Sequence, residues 1–262
     1  MKLTIFGRPA YVYTAGRPLD ATLPSIAFIH GGEQDHSAWA LQCRYFAYHG
    51  CNVLVPDLPG HGRSTGPALA AIPETAAWIA DMLKAAGIER AAMVGHSMGS
   101  LVALDFTAKN PESVTKLALL GTSVPMPVAE PLLQAARTNE HVALDMINAW
   151  SHGSRAHIGS NPAPGLWMLG MNMRLMERQA HDVLYADFNA CSRYAPDIAA
   201  VSNIQCPVLI IAGSRDQMTP LHATQALKER LPHAQMVVLK GAGHALMAEQ
   251  PDAVLDALID FL

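Results

Sequence analysis

Residues 91–104 read AAMVGHSMGSLVAL. A short apolar run, Ala91–Val94, enters Gly95-His96-Ser97-Met98-Gly99, and a second apolar run leaves it. The first run suits a buried strand and the second suits a helix. A serine on so sharp a strand-to-helix turn sits in a strained backbone conformation, so the residues two positions to either side must lack side chains. Glycine stands at both, 95 and 99. The N-terminus of the following helix would face the serine and favour negative charge there. Ser97 is therefore expected to be a nucleophile, and not merely a small residue in a tight turn.

Outward from this turn, short apolar runs alternate with helical ones. SIAFIHGG (25–32), CNVLVPD (51–57), VTKLALLGT (114–122), PVLIIAG (207–213) and QMVVLKG (235–241) read as buried strands. LTIF and AYVYTAG, around a Gly-Arg-Pro turn, read as a hairpin. Helices are expected at SAWALQCRYFAYHG, closed by Gly50, at PETAAWIADMLKAAG (73–87), and in the stretches PLHATQALKERL and PDAVLDALIDFL. Continuous apolar strands alternating with helices predict an α/β fold with a mostly parallel sheet covered on both faces. One block breaks the rhythm. Residues 124–196 offer no strand, and EPLLQAARTNEHVALDMINAW and GLWMLGMNMRLMERQAHDVLYADF both look helical. The expected organisation is one α/β unit, residues 1–123 and 197–262, with an all-helical insertion at 124–196.

A serine hydroxyl needs a base, and the base needs an acid to orient it. In parallel α/β sheets such groups gather at the carboxyl ends of strands. SRDQMTP follows PVLIIAG and places Asp216 on a loop; AGHALMAEQP follows QMVVLKG and does the same for His244. Alone, Asp216 could be a turn residue or helix cap, and His244 a loop histidine. LALLGTSVPMP offers no acid before Glu130, which favours Asp216. His96 lies on the strand side of the turn and is expected to point away from the serine hydroxyl. HGGEQDHSAW (30–39) follows the strand SIAFI, and its glycines let a backbone N–H approach a substrate oxygen. The N–H groups of Gly32 and Met98 are the expected oxyanion donors.

These motifs resemble the α/β-hydrolase superfamily over essentially the whole chain. The residues that carry the resemblance are His30-Gly31 with Trp39 downstream, PDLPGHGRS (56–64), GHSMG, AGSRDQMTP and GAGH. It implies an eight-stranded, mostly parallel sheet with a helical cap, and a triad in the order Ser97, Asp216, His244. By position Asp57, His61 and Ser64 match a structural loop of the family. Ser100 departs from a second glycine common there. With Ser rather than Asp at the elbow, haloalkane dehalogenase and epoxide hydrolase chemistry is disfavoured. The chain is most similar to capped esterases and lactonases, including enol-lactonases, acting on a small ester-like substrate. Carbon–carbon bond hydrolysis of ring-cleavage products ranks lower, because HGGEQDHSAW lacks a Gly-Pro-Gly type segment. Thioesterase and perhydrolase activities stay open, as does a ligand-binding receptor with a relict triad.

Composition narrows the partners. Half of the 262 residues are hydrophobic, 15% are charged and the net charge is −4 without a basic run, so nucleic-acid binding is not expected. Four cysteines without CxxC spacing point to reduced thiols. No apolar run reaches membrane-spanning length and no signal-peptide core is visible, so a cytoplasmic protein is expected. GHGRSTG (60–66) mimics a dinucleotide loop, but Pro67 follows and no helix opens on it, so no cofactor is expected. His30, Asp35 and His36 match no zinc spacing, so no metal is expected either. The methionines at 168, 171, 173 and 176, beside Leu166 and Trp167, could form an adaptable apolar pocket wall or ordinary helix packing. Trp167, Met168 and Met171 are the candidate pocket residues.

Overall fold

The computed structural model describes residues 1–138, 141–159 and 165–262. The chain opens with a hairpin, β1 (Lys2–Ile5) and β2 (Arg8–Tyr13), followed by β3 (Ser25–Ile29), α1 (Cys43–Tyr48) and β4 (Asn52–Pro56). Next come α2 (Ile72–Ala85), β5 (Ala91–His96), α3 (Met98–Lys109) and β6 (Val114–Leu120). The run from β6 to β7 (Val208–Gly213) is helical: α4 (Glu130–Thr138), α5 (His141–Ser151), α6 (Ser154–His157), α7 (Met168–Glu177), α8 (Val183–Arg193) and α9 (Ile198–Ser202). The chain ends with α10 (Leu221–Arg230), β8 (Gln235–Leu239), α11 (Leu246–Glu249) and α12 (Pro251–Phe261).

The eight strands form one sheet in the order β1-β2-β4-β3-β5-β6-β7-β8. The pairs β1/β2 and β2/β4 are antiparallel and the others are parallel. β3, β4, β5 and β7 are buried at every residue, as a sheet covered on both faces requires. One apolar layer lies between the sheet and α2 and α3, around Ile79, Leu101, Leu104 and Phe106. The other lies beneath α1 and α12, around Phe28, Trp39, Val254 and Leu258. A third cluster, with Leu132, Ala136, Ala143, Leu184 and Phe188, holds α4, α5 and α8 together.

Strand order decides where a site can form. The chain passes from β3 to β4 on one side, then returns to build β5 on the other side of β3. β3 and β5 thus flank the switch point, where the loops leaving the strands part and open a crevice. Gly31-Gly32 follows β3 and Ser97 follows β5.

Two helices differ from expectation. The segment 37–50 is a 3-10 turn, His36–Trp39, and then the short α1. The single helix expected over 130–150 is described as α4 and α5, with residues 139–140 outside the described part. Asp197 caps α9 by accepting the N–H groups of Ala199 and Ala200, a short turn the apolar pattern did not reveal.

Candidate active site

Ser97 has φ +53° and ψ −122°, a conformation L-residues rarely adopt. The turn is held by the Ser97 N–H donating to the Leu120 carbonyl at 2.9 Å and the Ser100 N–H donating to the Ser97 carbonyl at 2.8 Å. Ser100 Oγ also donates to that carbonyl at 2.5 Å. The departure at 100 therefore adds a brace to the turn. Sterics explain the flanking glycines. A Cβ on Gly95 would lie 2.2 Å from the Gly99 carbonyl oxygen, and one on Gly99 would lie 2.4 Å from those of Ile29 and His30.

Asp216 follows β7 and His244 follows β8. His244 Nδ1 and Asp216 Oδ2 are 2.8 Å apart and both side chains are buried. Asp216 accepts three further hydrogen bonds, from the N–H groups of Met218 and Thr219 and from Thr219 Oγ1. Burial alone would raise its pKa, but His244 and then the Thr219 donors outweigh burial and hold it below the usual carboxylate value. An ionised Asp216 fixes the proton on His244 Nδ1 and leaves Nε2 as the basic nitrogen. Ser97 and His244 line the same small cavity, about 40 Å³, with no direct hydrogen bond between them. Such bonds are often loose until substrate is bound.

His96 also lines that small cavity. Its Nε2 donates to the His244 carbonyl at 2.9 Å. Its Nδ1 is buried without a partner, against the Cα of Gly31, where a Cβ would lie 3.0 Å away. Burial, then the neighbouring His244, pull its pKa down to about 3, so the ring is neutral.

The expected oxyanion donors lie on either side of Ser97. Met98 opens α3, so its N–H has no intrahelical acceptor. The peptide N–H of Gly31 donates to Gln34 Oε1 and that of Glu33 donates to Asp187 Oδ2, while Gly32 N–H between them has no acceptor among the described residues. His30 orients the peptide that carries it. His30 Nε2 accepts the Leu58 N–H, so the ring proton is on Nδ1, which donates to the Gly31 carbonyl at 2.8 Å. In a trans peptide this turns the Gly32 N–H the opposite way. Gly32 and Met98 both line a second, larger cavity of about 120 Å³ that meets the first at Ser97.

That larger cavity is lined by Met126, Val128, Leu132, Trp150, Phe188 and Met218, among others, and by no charged side chain among the described residues. Trp167, Met168 and Met171 do not line it, which corrects the expectation from sequence. Trp167 is 74% exposed and its ring lies over Gly170; Met171 is 41% exposed. Asn172 and Met176, four residues apart on α7, are the residues of that helix facing the site. Trp150, Phe188 and Cys191 went unnoticed in the sequence because the pattern shows which residues are apolar but not which way a helix turns them.

Further bonds tie these helices to the core. The Ser151 carbonyl accepts the N–H groups of His244 and Ala245, at 2.7 and 2.8 Å. The Glu249 carboxylate accepts those of Gly153 and Gly243. Arg178 pairs with Asp35, and Gln179 Oε1 accepts the Gly62 N–H. Asp57, in the expected structural loop, accepts from the His36 and Arg63 N–H groups, and Ser64 Oγ donates to its carbonyl. Asp35, His36 and Asp57 bring donor atoms within 4.8 Å of one another, but Ser37, Arg178, Arg63 and His36 already engage the carboxylates. No helix among the described residues is long and apolar enough to cross a membrane.

Known proteins resemble the chain along most of its length. It is 30% identical over 246 residues to the pimeloyl-[acyl-carrier protein] methyl ester esterase of Aromatoleum aromaticum, covering 87% of this chain and 94% of that protein. It is 25% identical over 239 residues to the (E)-2-((N-methylformamido)methylene)succinate hydrolase of Acinetobacter baylyi, covering 89% and 88%. The enol-lactonase of Burkholderia xenovorans superposes with a TM-score of 0.88 over 100% of this chain and 99% of that one; at 22% identity it attests the fold alone. The model of the alpha/beta hydrolase family matches residues 26–257, and the chain belongs to that family.

Proposed function

We propose that the protein hydrolyses a small carboxylic ester or lactone through a serine acyl-enzyme. Ser97 Oγ attacks the carbonyl carbon. His244 Nε2 takes the hydroxyl proton and gives it to the leaving alkoxide. Asp216 holds the imidazole in the required tautomer and stabilises its charged form. The N–H groups of Gly32 and Met98 receive the oxyanion, each such donor being worth about 2.7–4 kcal/mol of barrier. Water then attacks the acyl-enzyme, with His244 again as base, and no cofactor enters. The observation that carries this reading is the strained Ser97 sharing a cavity with a histidine whose other nitrogen is bonded to a buried carboxylate.

The cavities suggest the kind of substrate. We take residues 124–196 as a cap, since Met126, Leu132, Trp150 and Phe188 come from it. The larger, apolar chamber suits the acyl group. An apolar cavity of roughly 150 Å³ takes a benzene ring, so at about 120 Å³ a short, uncharged acyl chain is the fit. The smaller chamber, with Gln34, Asn172, Ser151 and His244, suits a polar leaving group. Without a cation in the apolar chamber, ring-cleavage acids and other dicarboxylates fit less well.

A fluorophosphonate probe tests the chemistry, and p-nitrophenyl esters test the substrate class. Wild type should label, Ser97→Ala should not, and His244→Ala should lose turnover. Butyrate should be cleaved faster than its ω-carboxylate analogue. A folded wild-type protein that never labels would instead favour a ligand-binding role with a relict triad. Faster cleavage of a dienoic ring-fission ketone than of any ester would favour carbon–carbon hydrolysis.

A further inference from the structure

Beside the oxyanion loop lies a buried charge cluster that the reaction above does not use. Asp187, on α8, is 2% exposed, and His61, in the loop after β4, is 1% exposed. Asp187 Oδ2 accepts from His61 Nε2 at 2.8 Å and from the Glu33 N–H at 2.9 Å. The other ring nitrogen, Nδ1, faces the Pro59 carbonyl at 3.0 Å. Both nitrogens therefore face acceptors, and only an imidazolium donates to both. Burial works against that charge, but Asp187 outweighs it and lifts His61 to about 9. A buried carboxylate without such a cation would be costly.

The pair touches the expected oxyanion donor from one side. Glu33 has φ +56°, an unfavourable value for a residue with a side chain. Its N–H bond to Asp187 holds it there. A Cβ on Gly32 would lie 3.3 Å from Asp187 Cβ and 3.4 Å from the Phe188 ring, so the loop has no free space towards α8. Phe188 in turn lines the apolar chamber.

We propose that Asp187, charged and held by His61, is a positioning residue for the Gly32 N–H: it anchors the next peptide and so ties the oxyanion donor to a helix of the inserted segment. This rests on the ester-hydrolase reading. His30 sets the plane of the Gly32 peptide from the core side, and Asp187 sets it from the α8 side. Loss of the anchor frees Glu33 to leave its strained conformation, and Gly32 turns with it.

The test compares wild type with Asp187→Ala, which removes the acceptor of the Glu33 N–H, and His61→Gln, which removes the cation that holds it. Turnover of a short p-nitrophenyl ester is normalised to Ser97 labelled to completion by fluorophosphonate, which removes any unfolded fraction. Binding of a boronic-acid analogue of the tetrahedral intermediate is measured alongside. Both variants should lose about tenfold or more in kcat with KM little changed, within the 10²–10³-fold cost of removing an oxyanion donor. Analogue affinity should fall by the same factor as kcat/KM. A merely structural role would lower melting temperature without that proportionality. NMR of the His61 ring should show it protonated at neutral pH in wild type. Variants with unchanged kcat per labelled serine, or a neutral His61, overturn the anchor while leaving the hydrolase reading intact. A wild type that neither labels nor hydrolyses overturns both.

Discussion

A methyl group at position 99 would sit 2.4 Å from two carbonyl oxygens of the neighbouring strand end, Ile29 and His30. Neither oxygen can move without disturbing β3 or the loop after it. Gly99→Ala should therefore destabilise by more than about 3 kcal/mol, the upper end of ordinary overpacking. It should also lower the rate per folded molecule, because the shifted loop carries Gly32; chemical denaturation and titrated kinetics check the two effects. Gly31→Ala is a milder case. Its Cβ would meet His96 Nδ1 at 3.0 Å and Ser97 Cβ at 3.2 Å, both side-chain atoms. A smaller stability loss with a clear fall in kcat is expected there, and equal stability losses in the two variants would contradict the contacts. Constraints of this kind were legible in the sequence because they depend on local sterics: a serine between two glycines after an apolar strand admits few geometries. Asp187 and Glu249 were not legible. Asp187 gains its partners, and Glu249 gains Gly153, only when loops distant in sequence are packed against them.

At the scale of elements, the carboxyl ends of four strands collect the candidate site: β3 brings Gly32, β5 brings Ser97, β7 brings Asp216 and β8 brings His244. The strands could be read from the chain because each is a short, unbroken apolar run, and strand ends follow from strands. The helices between β6 and β7 could be recognised as helical, but not oriented. Met168, Met171 and Trp167 belong to one apolar-looking stretch, yet the site receives Asn172 and Met176. Helix α11 adds a contact with a testable cost. Glu249 accepts two N–H groups, one from Gly153 after α5 and one from Gly243 beside His244. Glu249→Ala leaves both donors without an acceptor, at about 1–3 kcal/mol for each that stays buried. Melting temperature and kcat should both fall, because the loop carrying His244 loses its tie to α5. Glu249→Gln keeps one acceptor oxygen and should fall between the two. An alanine variant with wild-type kcat would show that the Ser151 carbonyl holds the loop unaided.

For the whole molecule, the buried titratable groups set how stability depends on pH. Burial first, and neighbouring histidines second, pull His30 to about 4 and His96 to about 3. Burial, partly offset by the Asn148 carbonyl, takes His152 to about 4. In the unfolded chain each would titrate near about 6.5. Below that value the unfolded chain binds protons that the folded chain refuses, so stability is lost progressively as pH falls towards 4. On the alkaline side the sign reverses. His61 stays protonated to about 9 when folded. Its contribution is complete below about 6.5 and is lost as pH rises through the folded value. Glu33, buried beside the Asp187 charge, is raised to about 8. Its unfolded form ionises near about 4.3, so it too costs stability as pH rises, until the folded carboxyl ionises. Three histidines outweigh Glu33 between about 4.5 and 6.5, and nothing among these groups opposes the fall above that range. Melting temperature should peak near neutrality and fall on both sides. Glu33→Gln should steepen the acid limb between about 4.5 and 6.5, where Glu33 opposes the histidines, and flatten the alkaline fall up to about 8. Asp187→Asn should remove the His61 share by letting that ring lose its proton early. A wild-type melting temperature that climbs steadily from pH 7 to pH 9 would contradict the charge states assigned to His61 and Glu33 together.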